Sequence, residues 1–432
     1  MFKTLDDIGS GKRVLVRLDL NSPVEDGIVK DNRRFARHAR TVRELVDAGH
    51  RVVVMAHQGR PGRDSFVSLA QHADLLAEYV ETPVAFVDEV YGEAAIEAIR
   101  SLGAGEVLML ENVRMCADEL PENAPEDHAE SEFVRTLAPE FDCYVNDAYS
   151  AAHRAHASLV GFPQVLPSYA GRVMESEYEA NTSIANREFD GPVTMVLGGA
   201  KATDVIDVMS ALDEGVDHYL LGGIVGELFL RAAGYDVGYD VGGTELYDHQ
   251  WENNEERIRT LLDERGDRIH LPVDLAYEDD DARAEILVEG IEKDRDLLDV
   301  GSLTVERYGR VIEDSAAVFV KGALGVFEDE RFADGTVGVL ESIASTDCFS
   351  VVGGGDTSRA IELYGLDEGY FSHVSIAGGA YVRALTGESL PAVDALVENQ
   401  DAAGPPADAV DSHLFVTPKR SRRWSSSSPF RP

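Results

Sequence analysis

Phe349-Ser-Val-Val-Gly-Gly-Gly-Asp-Thr-Ser-Arg-Ala-Ile-Glu-Leu-Tyr364 is an apolar run that breaks into three glycines and restarts with helical spacing. It reads as strand, tight loop and helix. Gly353, Gly354 and Gly355 let the backbone approach a ligand with no Cβ in the way, and Thr357 is placed to cap the helix that follows. The free amides of that first turn suit a phosphate, and Asp356 beside them offers a hard oxygen to Mg²⁺. Taken alone, the loop reads first as an ordinary βα turn, because its spacing matches neither Gly-x-Gly-x-x-Gly nor the Walker pattern. Its company along the chain has to promote it.

The 432 residues, 44% of them hydrophobic, are enough for two or three cores. No apolar run approaches the roughly 18 residues that cross a bilayer, and the start of the chain lacks the charge-then-apolar order of a signal peptide, so a cytoplasmic protein with no membrane partner is expected. Cys116, Cys143 and Cys348 are too few and too scattered for a disulfide framework or a zinc site. The formal charge is −40, and only seven of the 39 basic residues are lysine. The acids are dispersed among periodic apolar segments, which argues against a disordered acidic chain and against a nucleic-acid partner. Self-repulsion of this size calls for screening, so a salt-rich cytosol is expected.

In the first half, short apolar strands empty into polar loops. Arg13 to Leu18 leads to Asp19 and Asn21; Arg51 to Ala56 leads to His57-Gln58-Gly59-Arg60; Glu106 to Leu110 leads to Arg114; and Phe141 to Val145 leads to His153, Arg154 and His156. Between the first two lies Asp31 to Val46, a helical stretch with five arginines, of which only one or two, Arg34 among them, are expected to be ligands. Cations at the carboxyl ends of strands face the crevice of an α/β sheet, and guanidiniums hold phosphate and carboxylate in bidentate fashion. Asp19 and Asn21 equally suit an Asx turn. His153 and His156, three apart, are placed on one helix as substrate or structural residues rather than metal ligands. No Gly-x-Ser-x-Gly motif or nucleophilic cysteine arrangement is present.

The character changes at Gly161 to Pro167, after which Gly171 to Arg187 reads as a helix with Val173, Met174, Tyr178 and Ile184 on one face. From residue 192 onward six strands run into glycine or lysine: Pro192–Leu197 into Gly198-Gly-Ala-Lys201, Asp217–Leu221 into Gly222-Gly223, Arg268–Leu271, Ala316–Val320 into Lys321-Gly322, the 349–364 stretch, and His373–Ile376 into Gly378-Gly379. These describe a doubly wound sheet with its loops gathered at one edge. Lys201 is placed as a point charge on a transferring phosphoryl group, with a helix from Val205 to Leu212 behind it, and Gly222 and Gly223 leave room for a flat base. Glu278 to Asp281 reads as a solvated loop, and the basic, serine-rich stretch from Lys419 to Pro432 as a disordered tail.

Together, Val16-Arg-Leu-Asp-Leu-Asn-Ser-Pro23, His57-Gln-Gly-Arg-Pro61, Leu110-Glu-Asn-Val-Arg114, Val145-Asn-Asp-Ala-Tyr149 with His153-Arg-Ala-His-Ala-Ser158, Gly198-Gly-Ala-Lys201, Gly325-Val-Phe-Glu328 and Gly353-Gly-Gly-Asp-Thr357 resemble phosphoglycerate kinases of the archaeal, halophilic type. The resemblance covers residues near 11 to near 398. It implies an α/β fold of two Rossmann-like, doubly wound parallel-sheet domains joined by a hinge helix. The boundaries expected are 1–170, a hinge at 171–189, 190–388, a segment 389–412 packing back on the first domain, and a tail 413–432.

The implied activity is reversible phosphoryl transfer between 1,3-bisphosphoglycerate and ADP, with Mg²⁺ and a monomeric enzyme. By the same resemblance Asp19, Asn21, Arg34, His57, Gln58, Gly59, Arg60, Arg114 and Arg154 would bind the glycerate. Lys201, Gly222, Gly223, Glu328, Gly354, Gly355, Asp356 and Thr357 would bind the nucleotide, with Asp356 on the metal. Arg34, Lys201, Gly378 and Gly379 would act on the moving phosphoryl. The sequence departs from the family pattern at Val205, where a second lysine is usual, at Lys321-Gly322-Ala323, where Asn-Gly-Pro is usual, and at Ile376-Ala377. A different α/β carboxylate or phosphosugar kinase, or an inert nucleotide-binding scaffold, would need less than this full set.

Overall fold

The computed structural model describes residues 2–212, 215–237, 245–291 and 295–399; the expected tail and the end of the 389–412 segment lie outside these. Two six-stranded sheets, each parallel throughout, organise the chain. The first runs in the order Val84–Phe86, Val107–Met109, Arg51–Met55, Arg13–Arg17, Cys143–Asn146, Ser168–Ala170. The second runs Ile269–His270, His218–Leu221, Val193–Leu197, Ala317–Lys321, Phe349–Gly353, His373–Val374. The doubly wound sheet expected from the strand-to-glycine pattern after residue 192 is present, and so is the second one that the resemblance implies.

The strands are apolar on both faces because helices cover both. Val14, Val16, Val52 and Val54 enter one core while Leu15, Val53 and Met55 enter another. In the second sheet Val196, Val318 and Val352 face one way, and Met195, Phe319 and Val351 the other. The direction in which successive strands are added to the sheet reverses between Arg13–Arg17 and Cys143–Asn146 in the first sheet and between Val193–Leu197 and Ala317–Lys321 in the second, although each pair is parallel. Adjacent loops splay apart at such a reversal and leave a crevice at the carboxyl ends of the strands.

Several local expectations are corrected. Glu278 to Asp281 is a strand end and the two-residue turn, Asp280-Asp281, of a hairpin, Asp274–Asp279 with Ala282–Leu287, in a three-stranded antiparallel sheet that the sequence reading missed. The helix behind Lys201 spans Ala202–Ala211, three residues earlier than the periodicity placed it, so Lys201 itself is its N-cap. Thr357 does not cap Gly355–Leu363: Gly354 does, with φ of 101°, and the Thr357 hydroxyl donates to the Gly353 carbonyl at 2.6 Å. His153 and His156 do not share a helix. His153 lies in a turn, and His156 is the N-cap of Ala157–Val160.

The long helix Arg172–Asn186 joins the two sheets. Its first amides, at Val173 and Met174, donate to Asp147 Oδ1 at 2.8 and 3.2 Å, and Asp147 Oδ2 meets His38 Nδ1 at 2.8 Å. Farther along, the buried Glu177 accepts from Ser375 Oγ at 2.5 Å and from the Ile376 amide at 2.8 Å, and pairs with His373 at 3.2 Å. One helix is thus tied to the first sheet at its start and to the last strand of the second at its middle. The final described helix, Pro391–Glu398, returns to the first half, where the Ala392 amide donates to the Ala152 carbonyl at 3.1 Å.

Candidate active site

In the first half the strand ends converge as expected. Asn32 caps the helix Arg33–Asp47 through the Arg34 amide, at 3.0 Å, which fixes where the Arg34 side chain leaves the helix. Arg34 and Ser150 both donate to Asp19 Oδ2. Burial alone would raise the Asp19 carboxyl, but Arg34, Ser150 and the Asn21 amide together hold it well below the ordinary carboxylate range. His57 is lowered as well, which for an imidazole means the neutral form: burial, reinforced by Arg17, Arg114 and Arg34, outweighs the opposing pull of Asp19. It then accepts from Arg17 Nη2 at 3.0 Å.

Asn21 Oδ1 takes the Gly59 amide at 2.8 Å, and Arg114 donates to the Gly59 carbonyl. Gln58 departs from its expected role as a ligand. It is fully buried, with its carboxamide engaged by Ser22, Ser65 and His72, and so it shapes the loop from beneath.

What remains is a knot of guanidiniums. Burial and the neighbouring Arg154 and Arg17 press the Arg114 pKa down to about 10, and burial with Arg60 lowers that of Arg154. Like charges crowded together with too few acids are the electrostatic signature of a site built for an anion. Arg17, 1% exposed, was missed by the sequence reading; the signal was an arginine at the carboxyl end of an otherwise apolar strand. Ser150 was missed too. Among the described residues no group of three or more metal-ligating side chains is assembled, and His156, pushed down to about 3 by burial and the nearby arginines, packs against Glu119.

The second half is built from backbone. A Cβ on Gly222 would lie 2.6 Å from the Leu324 side chain, so glycine there lets two loops pack; the Gly223 amide donates to the Leu324 carbonyl at 2.9 Å and the Gly199 amide to that of Ala323 at 2.7 Å. Beside these loops opens a cavity of about 240 Å³ whose lining includes Gly199, Gly223, Leu324, Val326, Glu328 and Asp356. Its wall is mainly apolar, and of the two glycines expected to leave room for a base only Gly223 lines it. Lys201 is exposed, and Asp356 stands exposed in the first turn of Gly355–Leu363.

The halves meet across a second cavity, about 160 Å³, with Arg33, Arg34, Gly354, Gly355, Ser358 and Ile376 in its wall. Arg34 Nη2 reaches the Ile376 carbonyl at 3.4 Å. A Cβ on Gly379 would lie 3.3 Å from His153 Nε2. Arg33 and Arg37 both pair with Glu368, the latter at 2.8 Å. A further hollow, about 950 Å³, lies behind the connecting helix, between Phe2, Tyr178, Arg187 and Phe349, and none of the residues expected to act on substrate lines it.

A family model described as phosphoglycerate kinase matches residues 5–388. The chain is 72% identical over 397 residues to a phosphoglycerate kinase of Halorubrum lacusprofundi, covering 91% of this chain and 98% of that one. To the phosphoglycerate kinase of Haloarcula marismortui it is 68% identical over 396 residues, covering 91% and 99%. The crystal structure of phosphoglycerate kinase from Pyrococcus horikoshii OT3 superposes with a TM-score of 0.86 at 33% identity, over 93% of this chain and 100% of that one.

Proposed function

This chain belongs to the phosphoglycerate kinase family and transfers a phosphoryl group reversibly between 1,3-bisphosphoglycerate and ADP, giving 3-phosphoglycerate and ATP, and from that premise we propose which residues do the work. Asp19, Asn21, His57, Arg60, Arg114 and Arg154 hold the glycerate and its stable phosphate, with Arg17 and Gln58 supporting them from below. Gly223, Val326 and Glu328 receive the nucleoside, and the amides of Gly354, Gly355 and Thr357 receive its phosphates. The observation that carries this reading is the shared cavity, in which Arg34 of the first half faces the Gly354–Gly355 loop of the second.

No protein nucleophile is needed, because the glycerate carboxylate and the nucleotide exchange the phosphoryl directly. The chain's task is to bring two anions together and to stabilise the charge between them. Arg34, steered by Asp19, meets that charge from one side; Lys201 and the Gly378–Gly379 amides meet it from the other. Movement about the helix 172–186 brings the halves together and expels water. Asp356 is the residue that would hold Mg²⁺, and one carboxylate suits an ion whose remaining ligands are phosphate oxygens and water. When bound, Mg²⁺ neutralises charge on the nucleotide phosphates.

The domain boundaries 1–170, 171–189 and 190–388 follow the two sheets and the helix between them. A cytoplasmic, monomeric enzyme adapted to salt fits the −40 charge and the halophilic sources of the similar proteins; no helix among the described residues is long and apolar enough to cross a membrane. A coupled assay with 3-phosphoglycerate and Mg-ATP in molar KCl tests the assignment. Turnover with 3-phosphoglycerate, and loss of activity on dilution to tens of millimolar salt, are expected. Equal turnover with an unrelated carboxylate, or full activity in low salt, would overturn the substrate and salt readings respectively.

A further inference from the structure

Lys321 closes the strand Ala317–Lys321 at the point where the second sheet reverses direction. In register it stands beside Leu197 on one side and Gly353 on the other, so both glycine loops begin next to it. Its carbonyl accepts the Gly198 amide at 2.9 Å, which pins its backbone, and its side chain is only 12% exposed. Among the described residues the nearest carboxylate to its ammonium is that of Asp204, at 4.0 Å, too far for a hydrogen bond. Burial lowers its pKa; Asp204 and Asp356 oppose that, and Lys201 adds to it, which places all four charges within reach of one another.

A largely desolvated ammonium with no hydrogen-bonded acid, next to a second lysine and between two phosphate-sized glycine turns, is a costly arrangement unless an anion completes it. A lysine serving only as a partner for Asp204 would sit at contact distance on the outer side of the helix start. Lys321 instead lies under the loops, at the crevice where a ligand of a doubly wound sheet binds. We infer that the Lys321 ammonium is a direct ligand of the nucleotide's terminal phosphates, acting with Lys201 as the second cation of a two-lysine clamp. The inference rests on the kinase reading and adds to it a residue and a specificity: the clamp distinguishes a nucleoside di- or triphosphate from a monophosphate.

Calorimetry on the full chain in molar KCl tests it with ADP and AMP as probes. Lys321→Met is expected to weaken ADP about 10- to 100-fold, the range for one charge-assisted contact, while AMP affinity and the KM for 3-phosphoglycerate stay within about twofold. Unchanged ADP affinity in the folded variant, or an equal loss for ADP and AMP, would overturn the inference. Amine labelling of the unaltered protein gives a second measurement that does not depend on the variant folding. ADP, and not AMP, should protect Lys321 from modification, and equal labelling with both nucleotides would also overturn it. Absence of any ADP binding by the unaltered protein would instead break the kinase reading itself.

Discussion

On the proposed assignment, the two sides of the cleft hold anions by different means. The first half uses side chains: Arg34, Arg114, Arg154 and their buried supports Asp19, Gln58 and Glu119. The second uses main-chain amides at Gly354, Gly355 and Gly378, with two lysines behind them. A cradle of guanidiniums is preorganised by hydrogen bonds between side chains. The glycine edge is preorganised from behind, by loops packed so closely that a Cβ has no place at Gly198, Gly222, Gly322 or Gly353. The first fails by losing charge and the second by gaining atoms.

The largest test of that contrast is Arg34→Met. Removing the cation nearest the transferring group should lower kcat about 10³-fold, on the scale of arginine contributions to phosphoryl transfer, while leaving calorimetric ADP affinity nearly unchanged. A kcat within tenfold of the parent would show that the first half only binds. The complementary pair is Gly355→Ala and Gly353→Ala. Nothing lies within 4 Å of a Cβ on Gly355, so that variant should fold normally yet bind ADP about tenfold more weakly, because the added methyl stands where a phosphate would approach the loop amides.

On Gly353, by contrast, the Cβ would be 2.2 Å from the Tyr381 ring, and denaturant unfolding should show a loss of about 1–3 kcal/mol. If both variants lost only nucleotide affinity, the packing argument for the second half would be wrong.

A smaller effect concerns acid. Burial pushes His72 down to about 4 and, with the neighbouring arginines, His156 down to about 3, both in the first half. The unfolded chain takes up protons near pH 6.5 while the folded one resists until far lower, so stability is intact above about 6.5 and is lost as pH falls from there toward 4. Hydrogen exchange should show the first half losing protection before the second on acidification, and His72→Gln should soften that dependence. Simultaneous loss in both halves would indicate a single cooperative unit.

Strand order was the hidden variable for the sequence. The run Phe349 to Tyr364 gave strand, loop and helix correctly, because alternation, glycine and helical spacing are local. Asp19 and His57 could be placed at strand ends and Arg34 on a helix, yet their mutual contacts depend on Arg13–Arg17 lying between Arg51–Met55 and Cys143–Asn146, which no local pattern states. Gln58 read as a ligand because its burial is a tertiary fact. Nothing in the sequence singled out Glu177 among 79 acids, although its carboxylate holds the loop before Gly378.

By itself, then, the sequence determined most of the element types, the strongly acidic charge and the family, since periodicity, composition and ordered motifs are properties of neighbouring residues. Which of the arginines turn inward, which acid ties the connecting helix to the second sheet, and where the Lys321 ammonium ends up were decided only in three dimensions. Those outcomes depend on crossovers that bring residues more than a hundred positions apart within hydrogen-bonding distance, as Asp19 and Ser150 are.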